Sequence, residues 1–295
     1  MADDLSRVGI VLSAAGTGNP VLPVSHGGHL GDIVYGLAYA KYLHQYYSVD
    51  IEIYISSDRP NNIPNHPSGG VCMVSRGSFE YLAPLLKDQP WVDGVYYEPD
   101  DRIPNSVALD AWRNFEQCLN LRAGYIATWP RKITGFPIDI ESSWLDVELR
   151  PTSAKVVCSF SSRYRNISID YSILENVDDL VFIGLRHEFD AFRWRHDLSK
   201  IRYFRATTSL DAAKEIASAQ LFLGNQNSSF AIAEAMKVPR ALESCELIPN
   251  VIPMGGIGYE YITNLALSNI LKLEGLIPDD FRARVRAPVY SLGFV

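Results

Sequence analysis

The first stretch whose residue types could carry chemistry is "SHGGHLGD", residues 25–32. It runs into an apolar segment, 31–47, whose periodicity predicts a helix. Asp32 would be held at the rigid start of that helix, where its carboxylate can accept the proton of an acceptor hydroxyl as a general base. The alternative is that Asp32 only caps the helix.

The residues before Asp32 are candidates for lining the same site. Gly28 and Gly31 let the backbone approach a ligand closely, because glycine has no side chain. His26 and His29 could assist Asp32 or line the site, and the alternative for each is an ordinary loop histidine. These four residues and Asp32 are one predicted half of a site.

A second stretch with chemical potential is "LFLGNQNSSFAIAEAMKVP", residues 221–239. An apolar strand ends at Gly224, polar residues follow, and an apolar helix begins near them. The free N–H groups and dipole of a helix start bind anions, so this point predicts a diphosphate site. The candidate contacts are Gln226, Asn227, Ser228 and Ser229. Asn227 or Ser228 could instead be no more than the N-cap.

Three further residues could complete a nucleotide site. Glu234 lies one or two turns into the second helix, where a carboxylate could accept hydrogen bonds from a ribose diol; an exposed surface glutamate is the alternative. Arg163 and Arg165, in "SFSSRYRN" after a predicted strand, carry guanidinium forks that suit a diphosphate. Solvated loop arginines are the competing interpretation.

The elements that must position these residues alternate along the chain. In the second half, short β-rich runs alternate with amphipathic segments at intervals of about 20 residues, which is typical of βαβ units and a parallel sheet. The predicted strands there are 155–160, 180–184, 201–204, 220–224 and 239–242, with a helix at 209–219.

The first half alternates less cleanly. Its predicted strands are "RVGIVLS", "PVLPVS", "IEIYIS", "DGVYYE" and "GYIAT", with a second helix at 78–88 and a long polar loop at 57–75. The segment 148–155 is the best linker, so we predict two Rossmann-like domains, 1–150 and 151–295, with the chemistry in the cleft between them.

Composition narrows the function classes. The chain has 295 residues, 47% of them apolar, and a formal charge of -7, which gives no bulk attraction to nucleic acid or to an anionic membrane. No metal-ligand spacing, P-loop or G-x-S-x-G motif is present, so we expect no metal and no cofactor. The acidic N-terminal region and the absence of a long apolar run favour a cytoplasmic protein without an integral membrane segment.

Two motifs together resemble a known family. "HLGDIVYGLAYAKYL" is similar to the N-terminal "GD" motif of the ADP-heptose lipopolysaccharide heptosyltransferases, family 9 of the glycosyltransferases. "TTSLDAAKEIASAQLFLGNQNSSFAIAEAMKVP" resembles their C-terminal segment, and the two occur in the family's order. The resemblance implies a GT-B fold: two facing Rossmann-like domains, the C-terminal one holding the nucleotide-sugar donor and the N-terminal one the acceptor.

The resemblance also implies inverting, metal-independent transfer, with Asp32 as the catalytic base and Arg163 near the donor phosphates. One departure is that the family's Asp-Ser/Thr-Gly is replaced by Gln226, Asn227 and Ser228, and the lost carboxylate bears on the donor sugar. "EAMKVP" is similar to the stretch of other GT-B enzymes whose glutamate binds the donor ribose, which supports Glu234.

The sequence thus predicts a glycosyltransferase that uses a nucleoside-diphosphate sugar and leaves the sugar open among hexose, heptose and pentose. One alternative is a nucleotide-sugar 2-epimerase, and another is a non-catalytic nucleotide-sugar-binding module. The resemblance implies a saccharide or lipid-linked glycan as acceptor. Hydroxymethylated phage DNA is less favoured, since a pI of about 5.4 does not indicate a basic DNA-binding face.

Overall fold

The fold consists of two α/β units, each built around its own sheet. The computed structural model describes residues 13–14 (backbone alone), 19–61, 70–115, 120, 124–148 and 156–281. The strands are β1 (Ser13–Ala14), β2 (Pro20–His26), β3 (Asp50–Ser56), β4 (Val92–Glu98), β5 (Val107–Ala108), β6 (Val156–Ser159), β7 (Leu180–Ile183), β8 (Arg202–Phe204), β9 (Leu221–Gly224), β10 (Arg240–Glu243) and β11 (Gly258–Tyr261).

The helices lie between the strands, as expected for crossover connections. They are α1 (Leu30–Tyr47), α2 (Arg76–Lys87), α3 (Trp129–Thr134), α4 (Arg186–His196), α5 (Ser209–Ala217), α6 (Ser228–Met236) and α7 (Asn264–Leu273). Among the described residues, none of the helices is both long and apolar enough to cross a bilayer.

The second sheet is fully parallel, in the order β11-β10-β9-β6-β7-β8. Every residue of β6, β7, β9 and β10 is buried, because helices cover both faces of a parallel sheet. The strand order reverses between β6 and β9. In doubly wound sheets a ligand site lies outside the carboxyl ends of the strands at such a point.

The first sheet is smaller, and it too consists mainly of parallel strands with one reversal of strand order. β4, β3, β2 and β5 are parallel neighbours in that order, and β1 pairs antiparallel with the start of β2. Its order therefore reverses at β2, between β3 and β5. The carboxyl end of β2 leads directly into the start of α1, and the chain after β5 returns to the same edge.

A shared core joins the two units. α1 packs on α6 and α2 packs on α5, so helices from both units form the layers between the sheets. The same hydrophobic core includes Leu37 of α1, Ile53 of β3 and Phe222 of β9. A second core covers the outer face of the second sheet beneath α4 and α7.

Trp144 ties the units together. Its backbone N–H donates to the carbonyl of Ala235 in α6 at 2.9 Å, and its indole N–H donates to the carbonyl of Val34 in α1 at 2.9 Å. The ring itself is 1% exposed. Trp144, which precedes the second sheet in the chain, thus contacts a helix of each unit.

Most predicted elements are found, but one predicted strand is not, and some elements, among them α3 and α7, were not predicted. "GYIAT" was predicted as a strand, but Ile126–Thr128 form a 3-10 turn, so that prediction is wrong. β5 and β11 were not predicted, because a two-residue strand has no periodicity and β11 sits in a glycine-rich segment. Most of "RVGIVLS", part of the 57–75 loop and the linker residues 149–155 lie outside the described residues.

Candidate functional site between the two sheets

A cleft of about 260 Å³ opens where the carboxyl ends of the two sheets face each other. Both units supply its walls. The N-terminal unit contributes side chains from the start of α1 and from the segments after β5 and before α3. The C-terminal unit contributes the loop after β6, the start of α6 and residues 248–251. The lining includes His29, Gly31, Asp32, Tyr35, Trp112, Arg113, Trp129, Arg163, Tyr164, Gln226, Asn227, Ser228 and Asn250.

The start of α1 is shaped by the turn that precedes it. The N–H of Gly28 donates to Nδ1 of His26 at 2.9 Å, and the N–H of Gly27 donates to Oδ2 of Asp110 at 3.1 Å. A Cβ on Gly28 would lie 2.5 Å from Nη2 of Arg113, so this position favours glycine. Asp32 follows in the first turn of α1, where the helix dipole stabilises a carboxylate.

Asp32 is held by a residue distant in sequence. Nη2 of Arg113 contacts Oδ2 of Asp32, and Nε of Arg113 lies 3.3 Å from Oδ2 of Asp110. The Arg113 guanidinium also stacks on the Trp112 ring, 4.4 Å from its centroid. We call Asp32, Arg113 and Asp110 the cleft cluster. The contact fixes one oxygen of Asp32, and no described residue donates a hydrogen bond to the other, Oδ1.

The protonation of His26 and Asp110 depends on their burial and on the charges around them. Burial lowers the pKa of His26, against the opposing charge of Asp110. Burial would raise the pKa of Asp110, but His26, Arg113 and the Gly27 N–H together outweigh it and hold the pKa below its ordinary value. His26 is therefore neutral at pH 7 and shapes the turn through Nδ1, while its Nε2 has no hydrogen-bond partner among the described residues.

His29 occupies a different position from His26, inside the cleft. Its Nδ1 lies 3.2 Å from the carbonyl oxygen of Met73, which can only accept, so Nδ1 carries the hydrogen. Burial lowers the pKa of His29, against the opposing charge of Asp32. The neutral ring is thus anchored with Nδ1 as donor, one turn before Asp32.

The start of α6 faces the start of α1. A Cβ on Gly31 would be 3.8 Å from the Cα of Ser228, so the two helix N-termini lie side by side. Oδ1 of Asn227 accepts the N–H of Phe230 at 2.9 Å, and Nδ2 donates to the carbonyl of Ser159 at 3.0 Å. Asn227 is the N-cap of α6 through Oδ1, and its Nδ2 is bonded to the end of β6.

Gln226 and Asn250 form one wall of the cleft. Nε2 of Gln226 donates to Oδ1 of Asn250 at 2.6 Å, and the carbonyl of Asn250 accepts the N–H of Ile126 at 3.0 Å. Ile126 belongs to the N-terminal unit and Asn250 to the C-terminal one. Gln226 thus holds Asn250, whose backbone bonds to the N-terminal unit at the cleft.

The loop after β6 is held in place by Asn225, which is fully buried. Oδ1 of Asn225 accepts the N–H of Ser161 at 3.0 Å, and Nδ2 donates to the carbonyl oxygens of Ser161, at 3.2 Å, and Arg163. Arg163 reaches the cleft, and its buried Nε has no hydrogen-bond acceptor among the described residues. Of the two predicted arginines, Arg163 is therefore the one that can donate hydrogen bonds to a ligand in the cleft.

Arg165 points elsewhere. Its Nε lies 2.9 Å from Oε1 of Glu243, and its guanidinium stacks on the ring of Phe160, 4.8 Å from the centroid. Glu243 also accepts the hydroxyl of Tyr171, and burial raises the pKa of Tyr171 well above its ordinary value. Arg165 therefore fixes the loop after β6 from behind and does not line the cleft.

Glu234 lies outside the cleft and is fully buried in a network of charged and polar groups. Its carboxylate accepts from the hydroxyl of Tyr125 at 2.7 Å and pairs at 2.5 Å with both Lys237 and Arg240. The N–H of Met254 also donates to it, at 3.1 Å. We call these four side chains, Tyr125, Glu234, Lys237 and Arg240, the interdomain cluster, because Tyr125 belongs to the N-terminal unit.

The structure thus brings together most of the predicted site residues. His29, Gly31, Asp32, Arg163, Gln226, Asn227 and Ser228 line one cleft. His26 and Gly28 lie directly behind Asp32, and Ser229 lies in the first turn of α6 without lining the cleft. Arg165 and Glu234 are engaged in buried ion pairs, so their predicted donor contacts would require those pairs to open; both roles stay predictions.

Sequence reasoning missed Arg113, Trp112, Trp129 and Tyr164. Arg113 lies 81 residues from Asp32, so their contact depends on β5 pairing with β2. The one available signal was the polar pair Asp110 and Arg113 after the short apolar run "SVAL".

No protein-family model matches the sequence, and no curated protein matches it significantly. Solved structures do match. The glycosyltransferase family 9 protein from Veillonella parvula aligns with 88% of this chain and 90% of its own, with a TM-score of 0.50 and 10% identity. The E. coli heptosyltransferase WaaC, solved with ADP-2-deoxy-2-fluoro heptose, covers 86% of this chain and 99% of its own, with a TM-score of 0.51 and 9% identity.

The chain has the fold of the family 9 glycosyltransferases. The predicted GT-B architecture, two facing Rossmann-like units with parallel sheets and a cleft between them, is confirmed. At this level of identity the likeness concerns the fold, and the chemistry has to be argued from the cleft itself.

Proposed function

We propose that this protein is a glycosyltransferase that moves a sugar from a nucleoside-diphosphate sugar to an acceptor hydroxyl, with inversion and without a metal ion. The observation that carries the proposal is the convergence of Asp32 and the start of α6, with Arg163, on one cleft. A carboxylate able to take a proton thus faces a helix start able to hold a diphosphate.

The donor end is supported by three features. The N-terminus of α6 presents N–H groups and the positive end of a helix dipole, and Ser228 adds a hydroxyl. Arg163 adds a guanidinium whose Nε has no acceptor among the described residues. Together these groups would neutralise the charge that develops on the leaving diphosphate, the role that a metal ion has in other transferases.

The acceptor end is supported by the free oxygen of Asp32. Arg113 occupies Oδ2, so Oδ1 would accept the proton of the acceptor hydroxyl as its oxygen attacks the anomeric carbon. The bond from that carbon to the diphosphate oxygen breaks in the same displacement, and the electron pair leaves with the diphosphate. A single displacement inverts the configuration at the anomeric carbon.

The first test is binding. Thermal unfolding with UDP, ADP, GDP and dTDP, each with and without EDTA, would identify the donor base, because a ligand of the folded state raises Tm by mass action. We expect one nucleotide to raise Tm equally with and without EDTA. A flat response to all four would refute the proposal.

The second test is turnover. The matching nucleotide sugar, incubated with saccharide, lipid-linked and hydroxymethylated-DNA acceptors, should give a product whose anomeric configuration is opposite to that of the donor by NMR. The same donor without acceptor should be recovered unchanged. An epimerised sugar in that control would identify a 2-epimerase, and tight binding without turnover would identify a binding module.

A further inference from the structure

One residue of the cleft has a backbone conformation that its side chain disfavours. Four described residues other than glycine have a positive φ: Ser48, Tyr164, Asp197 and Lys237. Ser48, Asp197 and Lys237 are the C-caps of α1, α4 and α6, where the left-handed conformation ends a helix. Tyr164, at φ 54°, ends no helix; it lies in the loop after β6 and lines the cleft.

The surrounding contacts hold this conformation in place. Asn225 bonds the carbonyl of Arg163 on one side of Tyr164, and on the other side Arg165 is locked to Glu243. The N–H of Asn166 also donates to Oε1 of Glu243, at 2.5 Å. Residues held in sparsely populated conformations cluster at functional sites, where the surrounding structure over-determines them.

The conformation has one visible result. The guanidinium of Arg163 stacks on the Tyr164 ring, 4.9 Å from the ring centroid. Since the Nε of Arg163 has no acceptor among the described residues, this ring is a main restraint on the guanidinium. A guanidinium on an aromatic face keeps its edge N–H groups free for a ligand.

We infer that Tyr164 is a positioning residue for the donor: its left-handed conformation places its ring beneath Arg163, so that the guanidinium is pre-oriented toward the diphosphate of a nucleotide sugar. The inference rests on the proposed function. It predicts that replacing Tyr164 with glycine maintains or raises the stability but lowers the donor affinity. Glycine relieves the backbone strain but removes the ring.

The test measures Tm and the Kd of the nucleoside diphosphate that binds the wild-type chain best among UDP, ADP, GDP and dTDP. The variants are Tyr164→Gly, Tyr164→Phe, Arg163→Met and the double variant Tyr164→Gly with Arg163→Met. Ser48→Gly is the matched control, because it likewise places glycine at a positive φ, 55°, but at the far end of α1.

We expect Tyr164→Gly to keep its Tm, or raise it by up to about 3 °C, while its affinity falls about 3- to 30-fold. Tyr164→Phe should bind the nucleotide with the affinity of the wild type, because it keeps the ring. The double variant should bind no more than about twofold more weakly than Arg163→Met alone, because the ring acts through the guanidinium. Ser48→Gly should behave like Tyr164→Gly in Tm and like the wild type in affinity.

Three results would overturn the inference while leaving the proposed function standing. They are wild-type affinity in Tyr164→Gly, a joint loss of Tm and affinity in that variant, and additive losses in the double variant. If no nucleotide binds the wild-type chain, the proposed function fails, and this inference fails with it.

Discussion

The cleft cluster and the interdomain cluster each pair a carboxylate with an arginine, yet they differ in accessibility. The side chains of Asp32 and Arg113 are 25% and 23% exposed, whereas those of Glu234 and Arg240 are fully buried. Asp32 keeps one oxygen without a donor, but Glu234 accepts from four groups. A carboxylate can exchange a proton with a substrate only where water and substrate can reach it.

We therefore expect Asp32 to take part in the chemistry and Glu234 to hold the two units together. A buried carboxylate surrounded by a lysine, an arginine and a tyrosine is costly to disturb, because removing it leaves unpaired buried charges. A partly exposed ion pair contributes little to stability, because water screens it. Mutations in the two clusters should consequently change different quantities.

The largest expected effect is on turnover. Asp32→Asn should lower kcat by about 100- to 10,000-fold, because general-base catalysis contributes in that range. Its free energy of unfolding should change by no more than about 1 kcal/mol, since the pair with Arg113 is partly exposed. Transfer assays and urea unfolding of the same preparation check both numbers. Asp32 is not the base if the variant turns over like the wild type.

The reverse pattern is expected at Glu234. Glu234→Gln should lower the free energy of unfolding by about 3 kcal/mol or more, because the charges of Lys237 and Arg240 lose their partner. The folded fraction should keep its nucleotide affinity. Glu80→Gln, an exposed position on α2, is the control and should change stability by less than about 0.5 kcal/mol. Weakened nucleotide binding at unchanged stability would instead support the ribose role of Glu234.

A smaller effect is expected from the partner of Asp32. Arg113→Met should lower kcat about tenfold while the nucleotide Kd stays constant, because Asp32 loses the contact that orients its carboxylate. Arg113→Lys keeps the charge without the two-pronged geometry, so it should recover part of the loss. The orienting role is contradicted if both variants change Kd and leave kcat unaltered.

The smallest expected effect is a pH dependence of the interdomain cluster. Burial lowers the pKa of Lys237 to about 8, against the attraction of Glu234. Between pH 8 and the ordinary lysine pKa, the unfolded chain binds more protons than the folded one, so stability rises with pH. From pH 8 to 9.5, the wild type should gain about 1–2 kcal/mol relative to Lys237→Met. If urea unfolding gives the same difference in free energy between the wild type and Lys237→Met at both pH values, Lys237 has an ordinary pKa.

In each cluster, the residues whose positions follow from the local sequence pattern were predicted. Asp32 was placed at the start of α1, and the strand, turn and helix from Leu221 to Met236 were recognised, because both follow from apolar periodicity and nearby polar residues. The two Rossmann-like units followed from the same alternation, and the GT-B fold was implied by the resemblance of two motifs to a known family.

The remaining positions depend on contacts between distant residues. Arg113 reaches Asp32 only through β5, a strand of two residues with no pattern to detect. Glu234 has the spacing of a residue on an exposed helix face, but α6 is enclosed by α1 and the second sheet, and Tyr125 and Arg240 complete its surroundings. The conformation of Tyr164 is set by Asn225 and Glu243, which lie about 60 and 80 residues away.

The bridging position of Trp144 has a kinetic consequence. Because this one residue bonds to both α1 and α6, and the helices around it share a core, the two units have little freedom to swing apart. A nucleotide would then meet a cleft that is already assembled, so its association rate should be governed by diffusion and by the charge of the entrance. Selectivity would lie in how long each ligand stays bound, and the dissociation rate would be the quantity that distinguishes a good donor from a poor one.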